Sequence, residues 1–548
     1  MANVEFNAPK FKIPVISGIE LTVEFEPLPQ YDGEYGFDWL KCDEKNEILK
    51  IQTNNISDLE FVFDESKMEY ILISADVKLK DKIKEEYKNE QMLIPNYYLP
   101  WLTLSQKQGE IKLNMISLPL NNSDISKSVI SFQKNDFYEI SIDGKTNENI
   151  KYTPDGKPKE ISIKCLKPSD EIDITAIDEK NRVVGKLRAI NNLKSYKLPI
   201  RLVCLVKNSS TKDVEIAQMI TDFKTLNVVD YLNKNSLNQA LIETDVEIDA
   251  KYEISFDEDA WNGTFYDKTN NYFTNRKVSG GKVTYINDEG ETIENANYEH
   301  VLDKFLRDYK SIFETDGKKF KGILLFITNI NKDPLDKEGG VSRTQPVNFR
   351  EAIVFKSNLN DKSTYAHELA HALGLEHYFW REAEYKEGLD TCKNSVRINE
   401  QAIINNNNNI KTSENNIKIC NSNIKIYQDR IKDYENYNKS HPNYYKENPS
   451  IDKYVKEQKE SIRKEKQDLK KSQDNIKENQ EINKKIEKRI VNLKKNIGVY
   501  KDNKFKFKEK STLNIMDYSS KTNIFSKWQC KLMQNDVNSY YGTVIENK

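Results

Sequence analysis

The chain has only five histidines in 548 residues, and three of them, His367, His371 and His377, fall within "HELAHALGLEH". If this stretch opens as a helix, His367 and His371 lie four apart and project from one face. Two imidazoles so placed can share one zinc ion. Glu368 adjoins the first histidine, where its carboxylate can act on a water held by that ion. Gly374 follows three residues after His371. A glycine tolerates positive φ, so the helix can end there and the chain can turn sharply. That turn brings His377 round as a third nitrogen ligand. On a continuing helix, His377 would face away from the other two.

Three protein ligands leave a fourth position for water, which is the pattern of a catalytic zinc site; structural sites are usually closed by four. Zinc lowers the pKa of its water towards ~7 and polarises a carbonyl. The chemistry expected is therefore hydrolysis of a peptide bond. Glu368 would take the proton of the attacking water and pass it to the departing amine. The competing reading is a helix with surface histidines. The scarcity of histidine in this chain, and the strand expected just before the helix, weigh against it.

The extended pattern HExxHxxGxxH resembles the metzincin clan of zinc metallopeptidases. A second stretch, "LNIMDYSS" at 513–520, strengthens the resemblance. Metzincins carry a methionine turn beneath the metal, and Met516 matches it. Tyr518 follows in the M-x-Y pattern of astacin-like and serralysin-like members. The resemblance implies that this tyrosine approaches the metal and stabilises the tetrahedral transition state. It covers roughly 245–395 and 499–548. It also implies a cleft with an edge strand for an extended substrate, for which 339–355 is the candidate, with Arg350 to Phe355 as the strand. The departure from the family is the long segment between His377 and Met516.

The elements that must position these residues follow from periodicity. Residues 1 to about 240 read as strands and turns, with runs at 18–28, 67–79, 110–120 and 159–166. This suits two successive β-sandwich-like domains, 1–150 and 151–244. From about 245 the pattern becomes α+β. "NYEHVLDKFLRDYKSIF" at 297–313 has helical spacing, 321–330 reads as a buried strand, and 350–357 reads as a strand just before the histidines. "NIFSKWQCKLMQNDVNSYY" reads as a closing helix with Trp528 and Leu532 inward.

Residues 396–498 differ again. Ile403, Ile410, Ile417, Ile424 and Ile431 recur by sevens. So do Val455, Ile462, Leu469, Ile476, Asn483, Ile490 and Ile497. Pro442 and Pro449 interrupt the two series and cannot continue a helix. Two heptad helices joined by a turn make an antiparallel hairpin, with arms of ~40 residues spanning roughly 60 Å. Several d positions are polar (Asn406, Ser413, Gln458, Glu465, Asn479), so the coiled coil should be marginal and suited to a partner. The fold class expected is thus α+β: a metzincin-like zincin domain over 245–395 and 499–548, with the hairpin inserted, preceded by β-rich domains.

Composition excludes several roles. Lys+Arg is 84 against Asp+Glu 86, without the basic excess of a nucleic-acid binder. Mean hydropathy is −0.76, and no apolar run is long enough to span a membrane. The N-terminus does not read as a signal peptide. Synthesis in the cytoplasm, with export by a route that uses no cleaved signal, is the expectation. The six cysteines are scattered and expected to be reduced thiols. His300 and His441 are expected to face solvent.

The segments "YDGEYGFDWLK" (31–41) and "YYLPWLTLSQKQGEIKLNM" (97–115) resemble N-terminal regions of modular proteins of Bacteroidota that sit near contractile, type VI-like secretion components. That resemblance implies a delivered effector or toxin whose first ~240 residues engage the apparatus. The leading reading is an exported zinc endopeptidase acting on protein or peptide. The alternative is a non-catalytic component of a secretion particle, with the zincin fold as scaffold and the hairpin as its working part. Glu368 separates the two, since a scaffold has no need of the base. Hydrolysis of a non-peptide amide is a third option.

Overall fold

A computed structural model describes residues 18–42, 49–51, 54–55, 58–88, 97–120, 123–286, 292–335, 339–344, 349–442, 449–519 and 522–547. The N-terminal stretch read for a signal, and most of the turn between the two heptad series, lie outside these residues. The chain parts into two compact units, with the divisions at Glu382/Ala383 and Gly498/Val499.

The first unit opens with a β-sandwich. One sheet runs in the order Leu21–Pro27, Glu110–Pro119, Lys159–Cys165, Tyr138–Ile142 and Lys145–Thr146. The other runs Ser131–Phe132, Ile172–Ile177, Val183–Ala189, Trp101–Thr103 and Gly36–Asp38. Alternate residues such as Ile111, Leu113 and Met115 point into a core shared with Phe25, Phe132, Ile163 and Leu187. The segments 31–41 and 97–115 meet here, with Gly36 opposite Thr103 and Phe37 opposite Leu102.

The expected boundary at 150 is corrected by this pairing. Lys159–Cys165 lies between Glu110–Pro119 and Tyr138–Ile142, so residues 151–189 complete the first sandwich. Without that middle strand both neighbours would present bare edges. The span 1–150 is not a separate domain either. Leu40, Leu59, Val62, Ile83 and Tyr87 leave the sandwich and join the core around the histidine helix.

That core lies on one face of a seven-stranded sheet. Its central strand, Lys194–Lys207, begins well before the expected boundary at 245. Ile242–Glu247, Glu253–Phe256 and Ile323–Thr328 all run parallel to it, and Glu351–Val354 runs parallel to Ile323–Thr328. Gly340–Ser342 closes the sheet antiparallel to Glu351–Val354. The expected edge strand, Arg350 to Phe355, is therefore internal, and the edge is Gly340–Ser342. Residues between 207 and 242, expected as strands and turns, form helices Lys212–Thr225 and Val228–Asn235. Ile216, Met219 and Phe223 are buried there at helical spacing. The helix expected from 297 begins at Val301, because Thr292–Glu299 pairs with Arg276–Ile286. His300 caps it, its Nδ1 accepting from the Leu302 N–H at 3.2 Å, so it is not simply solvent-facing. His441 is exposed.

Glu351 is fully buried on its strand, and neither carboxylate oxygen finds a hydrogen-bond partner among the described residues. Burial pushes its carboxyl up to about 8, with the Arg343 charge pulling the other way.

The second unit is the hairpin. Glu382–Ser440 and Pro449–Asp502 are long helices, the first starting earlier than the expected 396. Cys420, Ile431, Val455 and Ile490 are buried along the seam. The polar seam residues answer one another. Asn406 Nδ2 donates to Asn483 Oδ1, Asn475 Nδ2 to Ser413 Oγ, and Asn423 Nδ2 to Glu465 Oε1, each at 2.9 Å. These pairings fix an antiparallel register, since a slip would bury the amides unpaired. Cys165, Cys204, Cys392, Cys420 and Cys530 are free thiols. Among the described residues no helix is long and apolar enough to cross a membrane.

A fragment starting at residue 245 lacks the central strand and the 40–87 core residues; it should show no near-UV circular dichroism. Replacing 383–498 by a short Gly/Ser linker should leave the first unit folded by the same measurement. A second outcome concerns pH. The native Glu351 carboxyl binds its proton more tightly than the unfolded one, so its contribution to stability falls as pH rises from about 4.5 to about 8. Glu351→Gln should remove a slope of about 1.4 kcal/mol per pH unit from urea-unfolding free energies over that range.

Candidate metal centre

The histidine helix, Lys362–Ala372, starts at the Asp361 cap, whose carboxylate accepts from the Ser363 N–H at 3.0 Å. Tyr365, Ala366, Leu369 and Ala370 face the sheet and share a core with Ala352 and Val354. His367, Glu368 and His371 occupy the rest of the helix and are buried too. The helix stops at Gly374, whose φ is +84°. A Cβ there would also strike Leu532 Cδ2 and Asp536 Oδ2 at 2.8 Å, so both conformation and space require glycine.

The turn delivers His377 to the other two histidines. His371 Nε2 lies 3.1 Å from His367 Nε2 and 3.2 Å from His377 Nε2. Two of the rings are fixed from behind. His367 Nδ1 meets the Ile515 carbonyl at 2.8 Å, and His371 Nδ1 meets the Leu375 carbonyl at 2.6 Å. A carbonyl can only accept, so these Nδ1 atoms carry the protons and both Nε2 atoms present lone pairs. Lone pairs this close repel, and a cation between them turns the repulsion into attraction. Burial pushes His367 and His377 below the usual histidine range, which keeps the rings neutral and able to ligate. The three histidines thus can hold one metal ion. Two of the three nitrogen donors are backed by carbonyls, which orient a ligating ring.

The third histidine has its own support. Lys506 Nζ donates to the His377 carbonyl at 2.6 Å, and the ring stacks on Phe379 with centroids 4.9 Å apart. Lys506 sits in the strand Phe505–Phe507, which pairs with Leu59–Asp64 from the N-terminal part of the chain. Asn503 grips both sides of the turn: its Nδ2 donates to the Gly374 carbonyl at 3.0 Å and its Oδ1 accepts from the Glu376 N–H at 2.9 Å.

Met516 is completely buried, and its carbonyl accepts from the Tyr378 N–H at 3.0 Å. The turn around it is held by two polar side chains. Asp517, also buried, accepts from the N–H groups of Lys510 and Thr512 at 2.8 Å and of Tyr518 at 2.7 Å. Asn514 and Gln529 exchange amide hydrogen bonds of 2.6 and 3.1 Å, and Asn514 Oδ1 accepts from the Met516 N–H. This places the Ile515 carbonyl behind His367. Tyr518 is 42 % exposed, with its hydroxyl 2.8 Å from His377 Nε2 and its ring stacked on that of His367. The Arg381 guanidinium lies over both the Tyr518 and Phe379 rings.

Of the expected site residues, His367, His371 and His377 form the cluster, Tyr518 touches it, Glu368 lies on the helix that carries two of them, and Gly374 and Met516 lie in the turns beside it. Asn503, Lys506, Asn514, Asp517 and Gln529 were not anticipated. Only Asp517, between Met516 and Tyr518, carried a local hint: short acids bond nearby backbone N–H groups in turns. No family model matches the chain, and no curated protein matches it significantly.

Asp517→Ala should leave buried N–H groups unpaired and loosen the carbonyl behind His367. Zinc titration against a competing chelator should show affinity about 10–100-fold weaker than wild type. His371→Ala should abolish stoichiometric binding.

Proposed function

We propose that this chain is a zinc-dependent endopeptidase of the metzincin type. The observation that carries the reading is the convergence of three histidine Nε2 atoms beside a glutamate that lies against the sheet's edge strand. His367, His371 and His377 would hold the zinc, which when bound supplies a Lewis acid and lowers the pKa of water at the site.

The chain's own groups supply the rest. Gly340–Ser342 pairs with Glu351–Val354 on one side, and its other side pairs with no described strand. An extended peptide can add there by main-chain hydrogen bonds. Glu368 takes a proton from the attacking water and returns it to the amine that departs. Tyr518 is the only exposed phenol in contact with the cluster among the described residues, and it can donate its hydrogen bond to the oxyanion that forms on the substrate carbonyl. Buried Lys506 and the Asp517 turn keep the rings in place during this proton traffic.

A peptide-library assay tests the reading. Glu368→Gln should keep one zinc per chain and lose about 10²–10⁴-fold in kcat/KM. Tyr518→Phe should lower kcat by about 10²-fold with little change in KM. Equal cleavage by wild type and Glu368→Gln would refute the mechanism.

A further inference from the structure

Gly340 opens the edge strand, paired with Val354. Its φ lies outside the left-handed region, so the backbone there suits any residue. Space is the constraint. A Cβ on Gly340 would lie 2.6 Å from Glu368 Cγ, 2.7 Å from Oε1 and 2.9 Å from Cδ. Because Cγ is among the overlapped atoms, turning the carboxylate about its last bond does not relieve the contact. The inner parts of Glu368 would have to change rotamer.

Neither backbone can yield easily. The edge strand is held by its pairing with Glu351–Val354. The helix that carries Glu368 is held by the core through Tyr365, Ala366, Leu369 and Ala370. The part left to move is the Glu368 side chain itself. At the neighbouring Gly339 the atoms nearest to an added Cβ belong to the Asn358 side chain, at 2.1–2.3 Å.

We propose that Gly340 is a positioning residue for Glu368: the missing side chain in the edge strand is what lets the carboxylate lie beneath that strand and face the metal centre. The inference rests on the endopeptidase reading above. It ties the base to the strand expected to hold the substrate, so base and substrate backbone share one reference frame.

The test uses full-length protein loaded with Co(II), with ligand binding read from its visible spectrum. Two small probes separate the base from the metal. Acetohydroxamic acid binds the metal and donates a hydrogen bond to a correctly placed carboxylate. Mercaptoethanol binds through sulfur and needs no such acceptor. Glu368→Gln and Gly340→Ala should each weaken acetohydroxamate about tenfold, with mercaptoethanol unchanged. In the Glu368→Gln background, adding Gly340→Ala should cause no further loss, because the two act through one group.

Wild-type acetohydroxamate affinity in Gly340→Ala, with Glu368→Gln weakened, would overturn the proposal and leave the peptidase reading intact. A further loss in the double variant would also overturn it, since Gly340 would then act through something else. Wild-type affinity in Glu368→Gln would overturn the general-base reading and this proposal with it.

Discussion

His371 Nε2 does not stay 3.1 Å from His367 Nε2 and 3.2 Å from His377 Nε2 unless the residues that carry the rings are held in place. The constraint is electrostatic. Lone pairs at that distance repel, and the rings would rotate apart if they were free to do so. Much of the first unit is arranged to prevent this. The helix fixes two rings at i and i+4, the carbonyls of Ile515 and Leu375 take their Nδ1 protons, and Lys506 anchors the third through its backbone. The anchors come from distant parts of the chain, so the centre can exist only after the fold has closed.

This dependence explains why the N-terminal part of the chain is not a detachable module. The strand Leu59–Asp64 pairs with Phe505–Phe507, which carries Lys506. Trp380, three residues past His377, stacks on Phe61 and contacts Tyr70, with ring centroids 4.5 and 5.0 Å apart. Tyr70 in turn places its hydroxyl 2.8 Å from the carbonyls of Tyr500 and Asn503. The strand Leu59–Asp64 and Tyr70 therefore support the same turn that Asn503 grips. Removing these residues would strip the third histidine of its support.

The hairpin follows a different logic. Its seam mixes aliphatic residues with amides that bond across it, such as Asn406 with Asn483 and Asn475 with Ser413. Such pairs contribute less stability than leucines would, but they penalise every other register. A long hairpin of repetitive sequence needs that penalty, because heptads alone permit slips of seven residues.

The sequence by itself determined the histidine cluster that can hold a metal ion and the periodic elements. HELAHALGLEH carries its own geometry, since helical spacing and a glycine turn are local properties. The heptads likewise foretold two antiparallel helices, because one seam repeats in sequence as it does in space. Tertiary structure alone decided three things. It made Lys159–Cys165 complete the first sandwich, placed the edge at Gly340–Ser342 rather than 350–355, and brought Asn503, Lys506 and Gln529 behind the histidines. Strand partners and supporting polar groups are chosen by contacts between residues far apart in the chain, and no local pattern encodes such contacts.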